Sequence, residues 1–212
     1  MTQTIWIARH GNRIDFVRPE WFETAEMPYD PHLSEDGEIQ AWELAQRLKG
    51  EPIDRIFCSP FLRTVQTANH VAEVLDLPLY LEWGLCEWLN PDWMHAMPET
   101  LPPETLKARF PRIDLGYRSR IQPQYPETDE LCWQRTAETA RRLVADFPSN
   151  SLFVGHGASV VGAAIGLLGD YVEIKASLCC LVKLVRREDE WVMELNGDTS
   201  HLSRSQTRIR FN

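Results

Sequence analysis

The chain has 212 residues, with 25% charged and 43% hydrophobic side chains. Such ordinary globular values exclude a disordered, collagen-like or coiled-coil chain and predict one α/β domain spanning residues 1–212. Its 22 Lys and Arg stand against 31 Asp and Glu, a formal net charge of −9, so no global field draws it to nucleic acid or an anionic membrane.

The run Thr4-Ile5-Trp6-Ile7-Ala8 opens the chain and stops at Arg9-His10-Gly11, the pattern of a buried strand delivering its C-terminal end into a polar loop. Residues 14–33 carry Pro19, Pro28 and Pro31 among several aromatics and read as an ordered loop without regular structure. Ser34 suits a helix N-cap. Ala41, Leu44, Ala45 and Leu48 then recur at helical spacing, predicting a helix over 34–50 with Gly37 weakening its first turn and Gly50 stopping it. A second strand is expected over 53–58, then Ser59-Pro60 as cap and first helical residue, and a helix over 61–75. A third strand over 79–82 leads into the Trp- and Pro-rich segment 83–126, with a short helix over 103–110. A helix over 128–147, a strand over 151–155, a helix over 158–168 and a hairpin over 178–195 complete the pattern. Alternating strands and helices predict a three-layer α/β fold, a mostly parallel sheet with helices on both faces.

No apolar run is long enough for a signal-peptide core or a membrane span. Five cysteines, an odd number without any C-x-x-C, fit neither a disulfide scaffold nor a zinc ribbon, so a cytoplasmic location is expected. Three polar clusters fall where predicted strands end, the region in which open α/β sheets bind ligands: Arg9-His10-Gly11-Asn12-Arg13, Cys58-Ser59-Pro60-Phe61-Leu62-Arg63, and Gly155-His156-Gly157. Arg9, Arg13 and Arg63 would repel a divalent cation, and none of the six histidines has metal-ligand spacing, so no metal and no cofactor is expected. Guanidinium forks suit a phosphate dianion. Clustered positive charge also lowers a histidine pKa and leaves a ring nitrogen free to attack, which makes His10 a candidate nucleophile. Gly11, Gly155 and Gly157 are expected to let phosphate approach the backbone. Cys58 and Arg63 are separated by four residues rather than the five of a cysteine phosphatase loop, so Cys58 reads as a structural thiol. Trp83, Trp88 and Trp93 are candidates for an aromatic substrate pocket, and Arg112, Arg118 and Arg120 read as a solvated basic stretch.

The segments Ala8-Arg9-His10-Gly11-Asn12-Arg13, Leu33-Ser34-Glu35-Asp36-Gly37-Glu38-Ile39-Gln40-Ala41, Ser59-Pro60-Phe61-Leu62-Arg63-Thr64-Val65-Gln66-Thr67-Ala68 and Gly155-His156-Gly157, in that order, resemble the histidine phosphatase superfamily, also called phosphoglycerate mutase-like, with Arg9-His10-Gly11 as its RHG motif. Arg13, the stretch Gly84-Leu85-Cys86-Glu87-Trp88, the segment at 106–114 and the late hairpin resemble the branch of suppressor of T-cell receptor signalling and ecdysteroid-phosphate phosphatases, of which this chain would be the catalytic domain alone. The resemblance implies a phosphohistidine formed on His10. Arg9, Arg63 and His156 would hold the phosphate oxygens, Arg13 would add a contact, and Glu87 would be the general acid, with Glu82 and Asp15 as rival carboxylates. Desolvation between Cys86 and Trp88 is expected to keep Glu87 protonated. It implies a phosphatase of aryl or bulky phosphomonoesters, small molecules or phosphoproteins, acting as monomer or homodimer. Phosphoglycerate mutase-type transfer and non-catalytic phospho-ligand binding are the alternatives.

Overall fold

A computed structural model describes residues 2–203 of the chain. Six strands, β1 (Thr4–Arg9), β2 (Arg55–Cys58), β3 (Leu79–Leu81), β4 (Ser151–Gly155), β5 (Leu181–Arg187) and β6 (Glu190–Asp198), form one sheet in the order β3-β2-β4-β1-β5-β6. The four strands from β3 to β1 run parallel, and the hairpin β5–β6 joins β1 antiparallel. The mixed α/β sheet is the one expected.

Both faces of the sheet are covered, because successive side chains of each strand point to opposite sides. Trp6 and Ala8 of β1, Ile56 and Cys58 of β2, and Leu152 and Val154 of β4 pack with α3 (Glu35–Leu48) and α4 (Leu62–Leu75). Ile5, Ile7, Phe57 and Phe153 face the other way, onto α6 (Asp129–Asp146) and α7 (Gly157–Leu168). The near-continuous apolar reading of β1 and β4 is thus a signature of two buried faces. Each such large side chain contributes roughly 1.5–3 kcal/mol by leaving water. Among the described residues no helix is long and apolar enough to cross a membrane.

Differences from expectation are local. The segment 14–33 holds two four-residue helices, α1 (Ile14–Val17) and α2 (Trp21–Thr24), each a single turn too short to impose a periodicity on the sequence. The short helix α5 (Pro103–Arg109) lies where predicted. Ser34 caps α3, its Oγ accepting from Gly37 N at 3.1 Å. Gly37 is needed for a reason other than helix strength: a β-carbon there would lie 2.1 Å from Asn12 O, and one on Gly11 would lie 2.6 Å from Gly37 O. Two facing glycines let α3 rest directly on the loop that follows β1. Ser59 does not cap α4; Asp30 Oδ1 accepts the Leu62 N–H at 2.8 Å instead, which frees the Ser59 hydroxyl for another partner.

Candidate active site

Three neighbouring strands end at one level. The pairing of β1 with β4 sets Arg9 against Gly155, and it continues one residue further, His10 N donating to Gly155 O at 3.0 Å. On the far side of β4, Ser59 N donates to Val154 O at 3.0 Å. His10, His156 and Ser59 therefore leave adjacent strands side by side at the C-terminal edge of the parallel sheet. The two imidazole rings are 5.2 Å apart, and Ser59 Oγ is 2.9 Å from His156 Nε2. The first turn of α4 brings in Arg63, whose Nη2 is 3.1 Å from His156 Nδ1.

Glu87 follows a single 3-10 turn at Trp83–Leu85 and reaches the same edge. Its Oε2 lies 3.2 Å from Arg63 Nη2 and 3.3 Å from His156 Nδ1. Arg9 is anchored by Nη1 donating to Ala176 O at 2.8 Å. Arg13 is oriented by Asp15, which accepts from Nε at 2.9 Å and Nη2 at 2.5 Å. Arg9, Arg13 and Glu87 border a cavity of about 330 Å³ whose other walls include Trp88, Trp93, Trp133, Gly157 and Val161. All six residues singled out from the sequence are thus brought together. Arg9, His10, Arg63 and His156 are buried, and Arg13 and Glu87 are partly exposed.

Protonation follows from these contacts. His10 Nδ1 lies 2.7 Å from Gly11 O, and a carbonyl only accepts, so Nδ1 carries the proton and Nε2 presents its lone pair. Burial first, then the charge of Arg63 and the presence of His156, Arg9 and Arg13, hold the His10 pKa well below the usual histidine value. The ring is therefore neutral at pH 7. His156 is likewise lowered to about 4, by burial first, against the pull of Glu87. Burial would raise Glu87, but His156, Arg63 and Arg13 together outweigh it and hold the carboxyl well below the usual carboxylate range. The expected retention of a proton on Glu87 is thus corrected: without a ligand it is ionised, its Oε2 accepting from Arg63 Nη2, which also donates to His156 Nδ1, so that His156 Nε2 carries the proton and donates to Ser59 Oγ.

Among the described residues, the buried His10 Nε2, Arg9 Nε, and Arg63 Nε and Nη1 have no hydrogen-bond partner, nor has Asp30 Oδ2 beside Arg63, whose Nη1 lies 3.8 Å from Asp30 Oδ1. Leaving a buried polar group unpaired costs about 1–3 kcal/mol, so three donors and one lone pair left open together mark a site built for a ligand. His10, Glu87 and His156 also offer one ligand atom each within 4.8 Å of one another, a spatial grouping that sequence spacing does not reveal. With three guanidinium groups at the same edge, the surrounding charge favours an anion over a cation.

The rival carboxylates are engaged elsewhere. Asp15 is committed to Arg13, and Glu82 is buried against Gly84 N, Tyr117 and Ser119. Gly11 and Gly155 make room for protein neighbours, Gly37 and Ser159, rather than for phosphate; only Gly157 of the three expected glycines borders the cavity. Trp88 and Trp93 line the cavity with ring centres 4.9 Å apart, whereas Trp83 lines a different one. Trp133 is the wall the sequence did not single out: it lies inside a long helix, where an aromatic residue reads as core. Cys58 is fully buried with its thiol pushed well up by desolvation, the behaviour of a structural cysteine. Arg112 and Arg120 pair with Asp76 and Asp146 at the surface, away from the cavity.

The family model described as histidine phosphatase superfamily (branch 1) matches residues 5–199. The chain is 28% identical to the transcription factor tau 55 kDa subunit of Saccharomyces cerevisiae, over 96% of this chain and 57% of that protein. It is 27% identical to ubiquitin-associated and SH3 domain-containing protein B of Mus musculus, over 78% of this chain and 32% of that one. The chain thus spans about a third to somewhat over half of these relatives' lengths. With the probable phosphoglycerate mutase GpmB of Yersinia enterocolitica the identity is 30%, over 93% of this chain and 94% of that one. The crystal structure of the ecdysone phosphate phosphatase from Bombix mori in complex with tungstate shares the fold, with a TM-score of 0.77 at 21% identity, covering 99% of this chain and 98% of that one.

Proposed function

The chain belongs to the histidine phosphatase superfamily, and from that premise we propose that it is a phosphomonoesterase acting through a covalent phosphohistidine on His10, without a metal. The observation that carries the reading is the buried, unpartnered Nε2 of His10 beside unpartnered guanidinium nitrogens of Arg9 and Arg63. His10 Nε2 attacks phosphorus in line, forming the P–N bond as the ester P–O bond breaks. The Nδ1–H held by Gly11 O stabilises the positive charge that develops on the ring. Arg9, Arg63 and His156, with Arg13 at the rim, hold the phosphoryl oxygens, an electrostatic positioning task.

The leaving oxygen needs a proton, and Glu87 supplies it. Ionised in the free site, Glu87 sits among the donors that phosphate requires. An incoming ester dianion competes for Arg63 and His156 and raises the carboxyl's proton affinity; a monoanionic ester brings the proton with it. In the second half, the Glu87 carboxylate takes a proton from water as that water attacks phosphorus. The P–N bond breaks, inorganic phosphate leaves and His10 returns to its starting state. The tryptophan walls of the cavity favour aryl or otherwise bulky esters, a small molecule or a phosphoprotein side chain. We also take residues 1–212 as one catalytic domain. Five free, buried cysteines suit a reducing, cytoplasmic setting.

The test is hydrolysis of p-nitrophenyl phosphate in EDTA, with acid-quench trapping of the phosphoenzyme. We expect EDTA-resistant turnover and an acid-labile phosphoryl group, both lost in His10→Ala. Turnover that survives in the variant excludes the nucleophile, and EDTA-sensitive turnover points to a metal. The likeness to a probable phosphoglycerate mutase supports a second reading, in which the phosphoryl group returns to a bound acid. Conversion of 3-phosphoglycerate to 2-phosphoglycerate faster than phosphate release would establish that one. Phosphate-ester binding with no turnover on a broad panel would leave the non-catalytic reading.

A further inference from the structure

Glu87 lies in coil, yet a proton donor must be held to within a fraction of an ångström, so something outside the segment has to fix it. Arg135, on α6, reaches across to this coil. Its guanidinium donates to three carbonyls of the segment, Gly84 O at 2.9 Å, Cys86 O at 3.3 Å and Glu87 O at 3.1 Å. The fork is closed by Glu127, which accepts from Nε at 2.5 Å and Nη2 at 2.7 Å. Glu127 then grips the residues beyond: its N–H donates to Leu89 O at 3.0 Å, and its carbonyl accepts from Trp88 Nε1 at 3.0 Å. The ion pair thus holds the backbone on both sides of the Glu87 side chain without bonding that side chain, whose Oε1 accepts from Trp88 N at 3.1 Å and whose Oε2 faces Arg63 and His156.

Both side chains of the pair are about 95% buried. A buried pair gains little stability over apolar residues of the same volume, so its directional bonds are what an apolar pair could not replace. Residue 84 adds rigidity, since a β-carbon there would lie 2.1 Å from Thr139 Oγ1 of α6, so the turn sits directly on the helix. We propose that Arg135 and Glu127 are positioning residues that fix the backbone of Glu87, so that its carboxyl swings between Arg63–His156 and the leaving oxygen from a constant origin. The inference rests on Glu87 being the proton donor.

Proton donation matters most when the leaving group is a poor one, and this dependence separates positioning from general stability. The experiment measures phosphoenzyme formation in single turnovers for the parent chain, Arg135→Lys, Glu127→Gln and Glu87→Gln. The substrates run from 2,4-dinitrophenyl phosphate to an alkyl phosphate, with thermal unfolding recorded for each protein. Lysine keeps the charge but cannot span three carbonyls and a carboxylate. Arg135→Lys is expected to slow the alkyl ester about 100-fold and the dinitrophenyl ester less than about 5-fold, the same tilt as Glu87→Gln. Glu127→Gln keeps the shape with weaker bonds and should show the tilt at about 10-fold. Equal losses on all esters, or none, in a folded Arg135→Lys overturn the proposal. Should that variant fail to fold, Glu127→Gln decides by the same criterion. Absence of the tilt in Glu87→Gln itself removes the proton donor and this inference with it, whereas a tilt there alone removes only the inference.

Discussion

Glu82 and Glu87 stand five residues apart on either side of one 3-10 turn, and both leave the sheet at the same edge, yet their surroundings have opposite character. Glu82 is fully buried and saturated: Oε1 accepts from Gly84 N at 2.8 Å and Ser119 Oγ at 2.5 Å, and Oε2 from Tyr117 Oη at 2.6 Å and Arg120 N at 2.8 Å. Those donors are neutral and most are backbone or short side chains, fixed in place by the loop they organise. Burial, helped by the Glu82 charge, pushes the Tyr117 hydroxyl pKa well up, so that donor never releases its proton. Glu87 accepts at Oε1 from Trp88 N at 3.1 Å, but its Oε2 meets Arg63 and lies beside His156, groups with further polar atoms to offer an anion, and it borders an open cavity. A carboxylate whose every lone pair is taken holds structure together, and one whose partners are also suited to a ligand is available for exchange.

The sharpest way to break this contrast is to remove the same ionisable oxygen at each site. Glu87→Gln cannot donate to the leaving group; with general acid catalysis worth about 10²–10⁴-fold, phosphoenzyme formation on an alkyl ester should fall by that order while the melting temperature barely moves. A loss under about 10-fold on that ester would end the distinction. Glu82→Gln should behave in the opposite way. The amide NH₂ would face donors on one of the two oxygen positions, at a cost of about 3 kcal/mol read by denaturant unfolding, while turnover per folded molecule stays within about 2-fold. Strong loss of turnover in folded Glu82→Gln would give it a share in the chemistry.

The third group in the comparison is Asp30, which resembles Glu82 in burial and Glu87 in its charged neighbour. Its Oδ1 accepts from Leu62 N at 2.8 Å and lies 3.8 Å from Arg63 Nη1, while Oδ2 has no partner among the described residues. Burial pushes the carboxyl up to about 6, over the opposing pull of Arg63 and the Leu62 N–H. The folded chain therefore holds a proton that the unfolded chain releases between about pH 4 and 6, so this group's contribution to stability falls as pH rises through that window. Asp30→Asn keeps the bond to Leu62 N and abolishes the titration. Relative to the parent, the variant should gain on the order of 2 kcal/mol between pH 4 and 7 in denaturant unfolding. A gap that stays constant with pH would mean that Arg63 keeps Asp30 ionised throughout.

What could be read from the sequence depended on how local the signal was. His10, His156 and Arg63 each sit directly after a strand or in the first turn of the helix that follows one, so strand prediction alone carried them to one edge. Ser59 was visible but assigned to capping, because Ser-Pro ahead of a helix is a local motif, and the true cap, Asp30, comes from 32 residues away. Gly37 looked like a weakness in α3 because the chain it touches, Asn12, is remote in sequence. The ionisation of Glu87 had the same origin: burial was foreseeable from Cys86 and Trp88, but the opposing charges arrive from α4 and from the end of β4. Glu127, just before α6, and Arg135, in its second turn, have nothing in their spacing to say that the fork reaches Gly84, Cys86 and Glu87.

The smallest expected effect concerns the apolar side of the cavity, where Glu87 gives way to indole rings. Trp88 and Trp93 meet edge to face, and Trp133 faces the same space from α6. None of the three is among the phosphate-holding groups, so shortening one should change how the ester's organic portion binds rather than how phosphorus reacts. An aromatic contact contributes about 0.5–1.5 kcal/mol beyond burial, and Trp133 sits on α6, apart in sequence from the coil that carries the other two. Trp133→Ala should therefore raise KM about 10-fold for a naphthyl phosphate, with kcat nearly constant and with little change for methyl phosphate, which is too small to reach the wall. Equal changes for both esters would place Trp133 in the scaffold beside Glu82. A fall in kcat for naphthyl phosphate alone would mean that the wall also aligns the leaving oxygen with Glu87.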